Sequence, residues 1–242
     1  MRKPPVGKVG SPSFGSRREV EIHVIHFVRD SLAAWRNSLP DSSNSETTDE
    51  IDLNEDLCGF LSSTSSTRKE LFFFQPEVRQ KRLRKVDFAV KPVGNLLMAV
   101  GYSSFREKII VFEAKRLPAP DLRRKLEYVT GGTNIIGETI VTGGIQRYKT
   151  GDHGGEHAIA GLIGYIQKRD IAFFYEEINS WITEFAVKSP DDLAWSRCER
   201  LCLLDMRPDH TAHLRSSHAR INNASIELHH LWVMLLPDGG HE

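Results

Sequence analysis

The sequence predicts an α/β (α+β) fold, a central mixed β-sheet flanked by α-helices, and three observations carry that expectation. Two stretches with helical apolar spacing come first, within residues 16–63. A block of short extended segments follows, from ELFFFQPE at 70–77 to KIIVFEAK at 108–115. Further helix-like and strand-like blocks then run to the apolar LWVMLL at 231–236. A chain of 242 residues can bury one sizeable core. The expected division is a flexible arm over 1–15 and a single domain over 16–242.

In SRREVEIHVIHFVRDSLAAWRNSL, 16–39, Val20, Val24, Phe27 and Leu32 recur at helical spacing. After a polar linker, DEIDLNEDLCGFLSS sets Glu50, Leu53, Leu57 and Leu61 on one stripe, so Glu50 points inward while Glu55 lies on the solvated flank. ELFFFQPE, KVDFAV and KIIVFEAK read as strands of a mostly antiparallel sheet, with NLLMAVGY at 95–102 a candidate for another. Phe72, Phe73 and Phe74 are expected as core strand, one of them facing away from its neighbours. Eight glycines between 130 and 155 imply loops around a short helix at IQRYK. EHAIAGLIGYIQKR and FFYEEINSWITEFAV read as helices, and CERLCLLDM and SIELHHLWVMLL as late strands. DHTAHLRSSHAR reads as a polar loop rich in histidine. Of His229 and His230, at least one is expected to be a satisfied core histidine.

Composition narrows the function classes. The longest apolar run is far below membrane-spanning length, so no membrane partner is expected. The N-terminus is basic but has no apolar segment behind it, unlike a secretory leader. Three cysteines without framework spacing fit reduced thiols and a cytoplasmic location. Lys plus Arg balances Asp plus Glu at 32 each, but the distribution is uneven. RQKRLRK at 79–85 holds five bases and no acid, and KRLPAPDLRRK at 115–125 holds five bases against one acid. Two basic clusters around one hairpin would suit a phosphate backbone, whereas a solvated positive face is the plainer reading.

The chemistry concentrates in KIIVFEAKR. Alternation puts Ile109, Val111, Glu113 and Lys115 on one strand face and Ile110, Phe112 and Ala114 on the other. A carboxylate in so apolar a strand needs a compensating cation, which Lys115 or a metal supplies. In RKVDFAV, Asp87 likewise interrupts a strand pattern. If the two strands are neighbours, Asp87 and Glu113 converge on a hard oxygen site suited to Mg²⁺.

Asp87, then Glu113-Ala114-Lys115 after a spacer, preceded by a helix bearing Glu50, resembles the PD-(D/E)XK nuclease superfamily with its restriction-endonuclease-like fold. The similarity spans roughly 46–150. It implies an Mg²⁺- or Mn²⁺-dependent nuclease acting on DNA in a bacterial defence setting against phage or plasmid DNA, controlled by a protein partner or a homo-oligomer. By that resemblance Asp87, Glu113, Glu50 and the Ala114 carbonyl would bind metal and Lys115 would hold or polarise the attacking water. Gln146 and Arg147 would face the phosphate, and Arg82, Arg84, Lys85 and Arg116 would contact nucleic acid. Val86 stands where the superfamily's name has proline, and Tyr148 departs from the Q-x-x-x-Y spacing of one branch.

Two alternatives stay open. One is a binding or regulatory subunit that keeps the fold without catalysis. The other is a zinc hydrolase built on His153-Gly-Gly-Glu156-His157, an H-x-x-E-H pattern with Glu227 as a distant third ligand. Glycines inside and before that segment make a poor helical mount for zinc, so His153 is expected in the glycine loop facing substrate or solvent, and His157 near the start of the next helix.

Overall fold

The stripe that begins after Ser16 folds as helix α1, Arg17–Ser38, with the Ser16 hydroxyl accepting from the Glu19 N–H. It buries Val20, Val24, Phe27 and Leu32 as expected. The computed structural model describes residues 14–40, 48–79, 85–94, 100–131, 143–188, 193–221 and 224–235. Helix α2, Glu50–Thr67, starts behind an Asp49 cap and buries Leu53, Leu57 and Leu61, with Glu55 exposed. Residues 1–13 of the arm and the first five residues of NLLMAVGY lie outside the described residues.

The remaining elements are β1 (Phe72–Arg79), β2 (Lys85–Pro92), β3 (Ile110–Leu117), the short α3 (Gly144–Thr150), β4 (Ile159–Ile166), α4 (Ile171–Lys188), β5 (Cys202–Met206), β6 (Thr211–Ala219) and β7 (Ser225–Met234). Among the described residues the strands form one seven-stranded sheet in the order β1-β2-β3-β4-β7-β6-β5. β1, β2 and β3 pair antiparallel, β4 runs parallel to both β3 and β7, and β7, β6 and β5 pair antiparallel. The sheet is therefore mixed and mostly antiparallel.

Helices cover both faces. Against one, α1 and α2 pack onto Phe72, Phe74, Phe88, Phe112 and Tyr165. Phe73, between two buried neighbours, is the exposed member of its triplet. Against the other face, α4 buries Phe174, Ile178 and Ile182, and α3 buries Ile145 and Tyr148. No helix among the described residues is long and apolar enough to cross a membrane.

Two segments differ from expectation. Residues 156–169 are not a helix but contain β4, buried along its whole length. A strand covered on both faces shows no alternation, so its apolar run mimics a buried helix. Its glycines make room for aromatic neighbours: a Cβ on Gly161 would come within 2.1 Å of the Phe112 ring. Phe112 stacks on Phe88 with centroids 4.9 Å apart and cannot retreat cheaply. Gly161→Ala is expected to destabilise the fold by about 1–3 kcal/mol through overpacking, read as a lower urea midpoint; an unchanged midpoint would show that the layer yields.

DHTAHLRSSHAR is not a loop either. It forms β6, whose buried polar side chains partner one another. Ser216 Oγ lies 2.6 Å from His218 Nε2 and 2.7 Å from His230 Nε2, and His213 Nε2 lies 2.8 Å from His229 Nδ1. Buried polar groups are tolerated when mutually satisfied, and that pairing cannot be seen from β6 alone. His229 and His230 are both core histidines. In CERLCLLDM, a short 3₁₀ turn at Arg197–Glu199 precedes β5.

Candidate active site

The β2–β3 register pairs Phe88 with Phe112, Ala89 with Val111 and Val90 with Ile110. Continued by one residue, it sets Asp87 opposite Glu113. The ladder stops there, and the Ala114 N–H donates to Asp87 Oδ2 at 2.6 Å. The Asp87 carboxylate thus takes over a backbone donor of the E-A-K triplet. This contact uses the N–H of Ala114, whereas the resemblance assigns the Ala114 carbonyl to metal.

Glu113 and Lys115 are both buried, at 0% and 4% exposure. Lys115 Nζ lies 3.3 Å from Glu113 Oε1 and 2.8 Å from Glu50 Oε1. The first turn of α2 therefore meets the end of β3, and Glu50 Oε2 also accepts from the Arg116 N–H at 3.3 Å. All four residues that the sequence singles out as a set, Glu50, Asp87, Glu113 and Lys115, come together in space.

Two further groups close on Glu113. Arg147, from α3, donates to Glu113 Oε1. His153 Nδ1 stands 2.8 Å from Glu113 Oε2, an ion-pair distance between two buried groups. His153 is brought there by the glycine loop. Gly154, at φ +57°, packs where a Cβ would meet Val111 at 3.0 Å and the Tyr148 ring at 3.3 Å. The sequence expects His153 in this loop, facing substrate or solvent, without naming it among the site residues; the structure turns it onto Glu113.

The charges follow from these contacts. Burial alone would push the Glu113 carboxyl up, but Lys115, His153 and Arg147 together hold it down at about 2. Burial alone would lower Lys115, but Glu113, Glu50 and Asp87 outweigh it and raise its pKa, so the ammonium stays protonated. Asp87 keeps a little surface, but burial and the neighbouring Glu113 raise its carboxyl well above the ordinary range. Lys115 is consequently a fixed cation rather than a base.

The other candidates lie apart. Gln146 is buried with its side-chain oxygen accepting from the Gly131 N–H at 2.8 Å, so it braces a loop while its neighbour Arg147 reaches the carboxylate. Arg116 turns to the opposite strand face, where Nε donates to Gln167 Oε1 at 2.5 Å. Lys85 is exposed and paired with Glu77 at 2.5 Å. Arg82 and Arg84 lie outside the described residues.

H-x-x-E-H does not form a zinc mount. α3 ends at Thr150, and turns separate His153, facing Glu113, from His157, which lies just before β4 rather than at a helix start. The Ser216, His218 and Glu199 set is a core network, not a hydrolase triad. It is fully enclosed, with Tyr128 Oη 2.9 Å from His230 Nδ1 and accepting from Trp232 Nε1 at 2.7 Å.

The donor set fits a hard divalent cation. Asp87, Glu113 and Glu50 carry the carboxylate oxygens that such an ion takes, and Glu113 Oε2 is buried beside His153 Nδ1. Arg147 Nε is buried with no hydrogen-bond partner among the described residues, which leaves a donor beside the carboxylate for a phosphate oxygen or water. Among the described residues no three His, Cys, Asp or Glu side chains form a ready-made cage; Mg²⁺ needs only one or two carboxylates with water and substrate oxygens.

The chain matches no protein-family model, and neither a curated protein nor a solved structure matches it. The geometry of the site therefore carries the functional reading.

Proposed function

We propose that this chain is a Mg²⁺- or Mn²⁺-dependent nuclease of the PD-(D/E)XK kind, with a restriction-endonuclease-like arrangement of α2, β1, β2 and β3. The observation that carries it is the convergence of Asp87, Glu113, Lys115 and Glu50 from two adjacent strands and one helix start. Asp87, Glu113 and Glu50 would hold the metal, which when bound supplies Lewis-acid polarisation of the phosphoryl oxygens and lowers the pKa of water. Lys115, anchored between Glu50 and Glu113, would hold the attacking water and balance charge growing on the phosphate. Arg147 would offer Nε, which no acceptor among the described residues uses, to a phosphate oxygen. DNA as the substrate, defence against phage or plasmid DNA as the setting, and control by a partner or homo-oligomer belong to the same proposal and rest on the resemblance alone.

The expected result is divalent-metal-dependent cleavage of DNA, suppressed by chelator and reduced more than about 100-fold in Asp87→Asn. Intact DNA and RNA after incubation with Mg²⁺ and Mn²⁺ would sink the reading. One observation favours the second reading, a binding subunit without catalysis: Lys115, Arg147 and His153 already surround Glu113. Under that reading Mg²⁺ leaves the melting temperature of wild type and Asp87→Asn alike.

A further inference from the structure

Beyond the metal-site cluster, the chain carries a cleft of about 210 Å³ where β3 and β4, running parallel, come to an end. Leu117 and Pro118 form one wall with Leu122 of the following loop, and Phe173, Phe174 and Trp181 of α4 form the other. Leu122 is 89% exposed and Phe173 42%, so apolar surface stands in water at the mouth. Lys125, Lys168, Arg169, Asp121 and Glu177 also line it, with Lys125 Nζ 2.9 Å from Glu177 Oε1. The cations and rings are already associated: the Arg169 guanidinium lies 5.4 Å from the Phe173 ring centre, and Lys125 Nζ 5.6 Å from that of Trp181.

The cleft begins at Leu117, farther along the strand that carries Glu113 and Lys115. Glu113, Lys115 and Leu117 share one face of β3 by alternation, and four residues of strand span about 13 Å. Crevices beyond the carboxyl ends of parallel strands are habitual ligand positions. A flat apolar body carrying an anion matches aromatic walls interleaved with cations, and a nucleobase on its phosphate backbone has that chemistry. A duplex base pair, stacked on both sides, cannot enter a cleft of this size.

We infer that this cleft takes an unstacked base of the nucleic-acid strand whose phosphate lies at Glu113 and Lys115. The inference rests on the nuclease reading for its substrate class. It makes the preferred substrate single-stranded, or a duplex with an unpaired segment next to the cut.

Fluorescence anisotropy with a labelled single-stranded DNA 12-mer, and with the same oligomer carrying abasic sites, tests it in the absence of divalent metal, where no cleavage intervenes. Phe173→Ala is expected to weaken binding of the base-bearing oligomer about tenfold and to leave the abasic oligomer unchanged, while Phe173→Trp binds as wild type does. Phe173 is partly exposed, so its truncation leaves the core in place. Equal binding of the 12-mer by wild type and Phe173→Ala overturns the inference. So does an equal loss on the abasic oligomer, or displacement of the 12-mer by micromolar free nucleoside monophosphate, which would make the cleft a mononucleotide site. Metal-dependent cleavage with an indifferent Phe173 refutes the cleft alone. Base-dependent binding without cleavage in Mg²⁺ or Mn²⁺ refutes the nuclease reading and leaves the cleft standing.

Discussion

Lys115→Met is expected to lower folding stability by about 3–5 kcal/mol, because it removes the cation of a buried ionic cluster and leaves the carboxylates behind. Methionine keeps the length and most of the apolar stem, so the loss reports charge rather than volume. Glu50 loses the contact at 2.8 Å and Glu113 the one at 3.3 Å, while Asp87 loses the one nearby cation that holds its pKa down. Arg147 and His153 remain on Glu113 and soften the effect there. At about 2–4 °C per kcal/mol for a chain of this size, the melting temperature should fall by roughly 10 °C. A loss below about 1 kcal/mol would mean that solvent reaches the cluster and screens it.

The same variant separates the two functional readings. In a nuclease, cleavage falls more than about 100-fold at temperatures where the variant is still folded, since the cation beside the water and phosphate is gone. Mg²⁺ should then raise the melting temperature of Lys115→Met more than that of wild type, because the ion takes over the vacated charge. In a binding subunit, Mg²⁺ moves neither protein.

How far the site was legible follows from what each residue's role depends on. Glu113 and Lys115 were visible because period two puts them on one face of an apolar strand, and Glu50 because period 3.6 aligns it with Leu53 and Leu57. Asp87 was visible as an interruption, but its place beside Glu113 depends on strand register, which local pattern does not contain. His153 and Arg147 reach Glu113 through the docking of α3 and its glycine loop onto β3, a tertiary event with no periodic signature. Gln146, adjacent in sequence to Arg147, points to Gly131 instead, because neighbouring helix positions face different directions. The misread strands share one physical cause. β4 is buried on both faces and β6 carries polar residues that pair with β7, so each loses the alternation that marks a half-exposed strand.

The buried histidines have a consequence of their own: His157 and His213 alone should cost the protein about 2–4 kcal/mol of stability between pH 6.5 and pH 5. Burial, the largest cause, holds His157 down at about 4, and burial with the neighbouring His229 holds His213 down at about 3. Burial also lowers His218, His229 and His230. An unfolded histidine titrates near 6.5, so over this window the unfolded chain binds protons that the folded chain refuses. The histidine contribution is therefore complete above pH 6.5 and drains away as the pH falls toward the folded values, at about 1.4 kcal/mol per pH unit for each refused proton. Glu113 works in a different range: its depressed carboxyl adds stability above about 4.5 that is lost only as the pH approaches 2. Asp87 acts oppositely, since its raised pKa favours the folded state on acidification and offsets part of the loss. Against a typical total of about 5–15 kcal/mol, the histidine term is large enough to bring unfolding near pH 5. Urea titrations at half-unit steps from pH 7.5 to 4.5 measure the slope. His157→Leu should flatten it by about one proton, because its Nε2 has no hydrogen-bond partner to lose. A slope of zero through this window would mean that the buried rings accept protons freely, and would contradict their enclosure in the sheet.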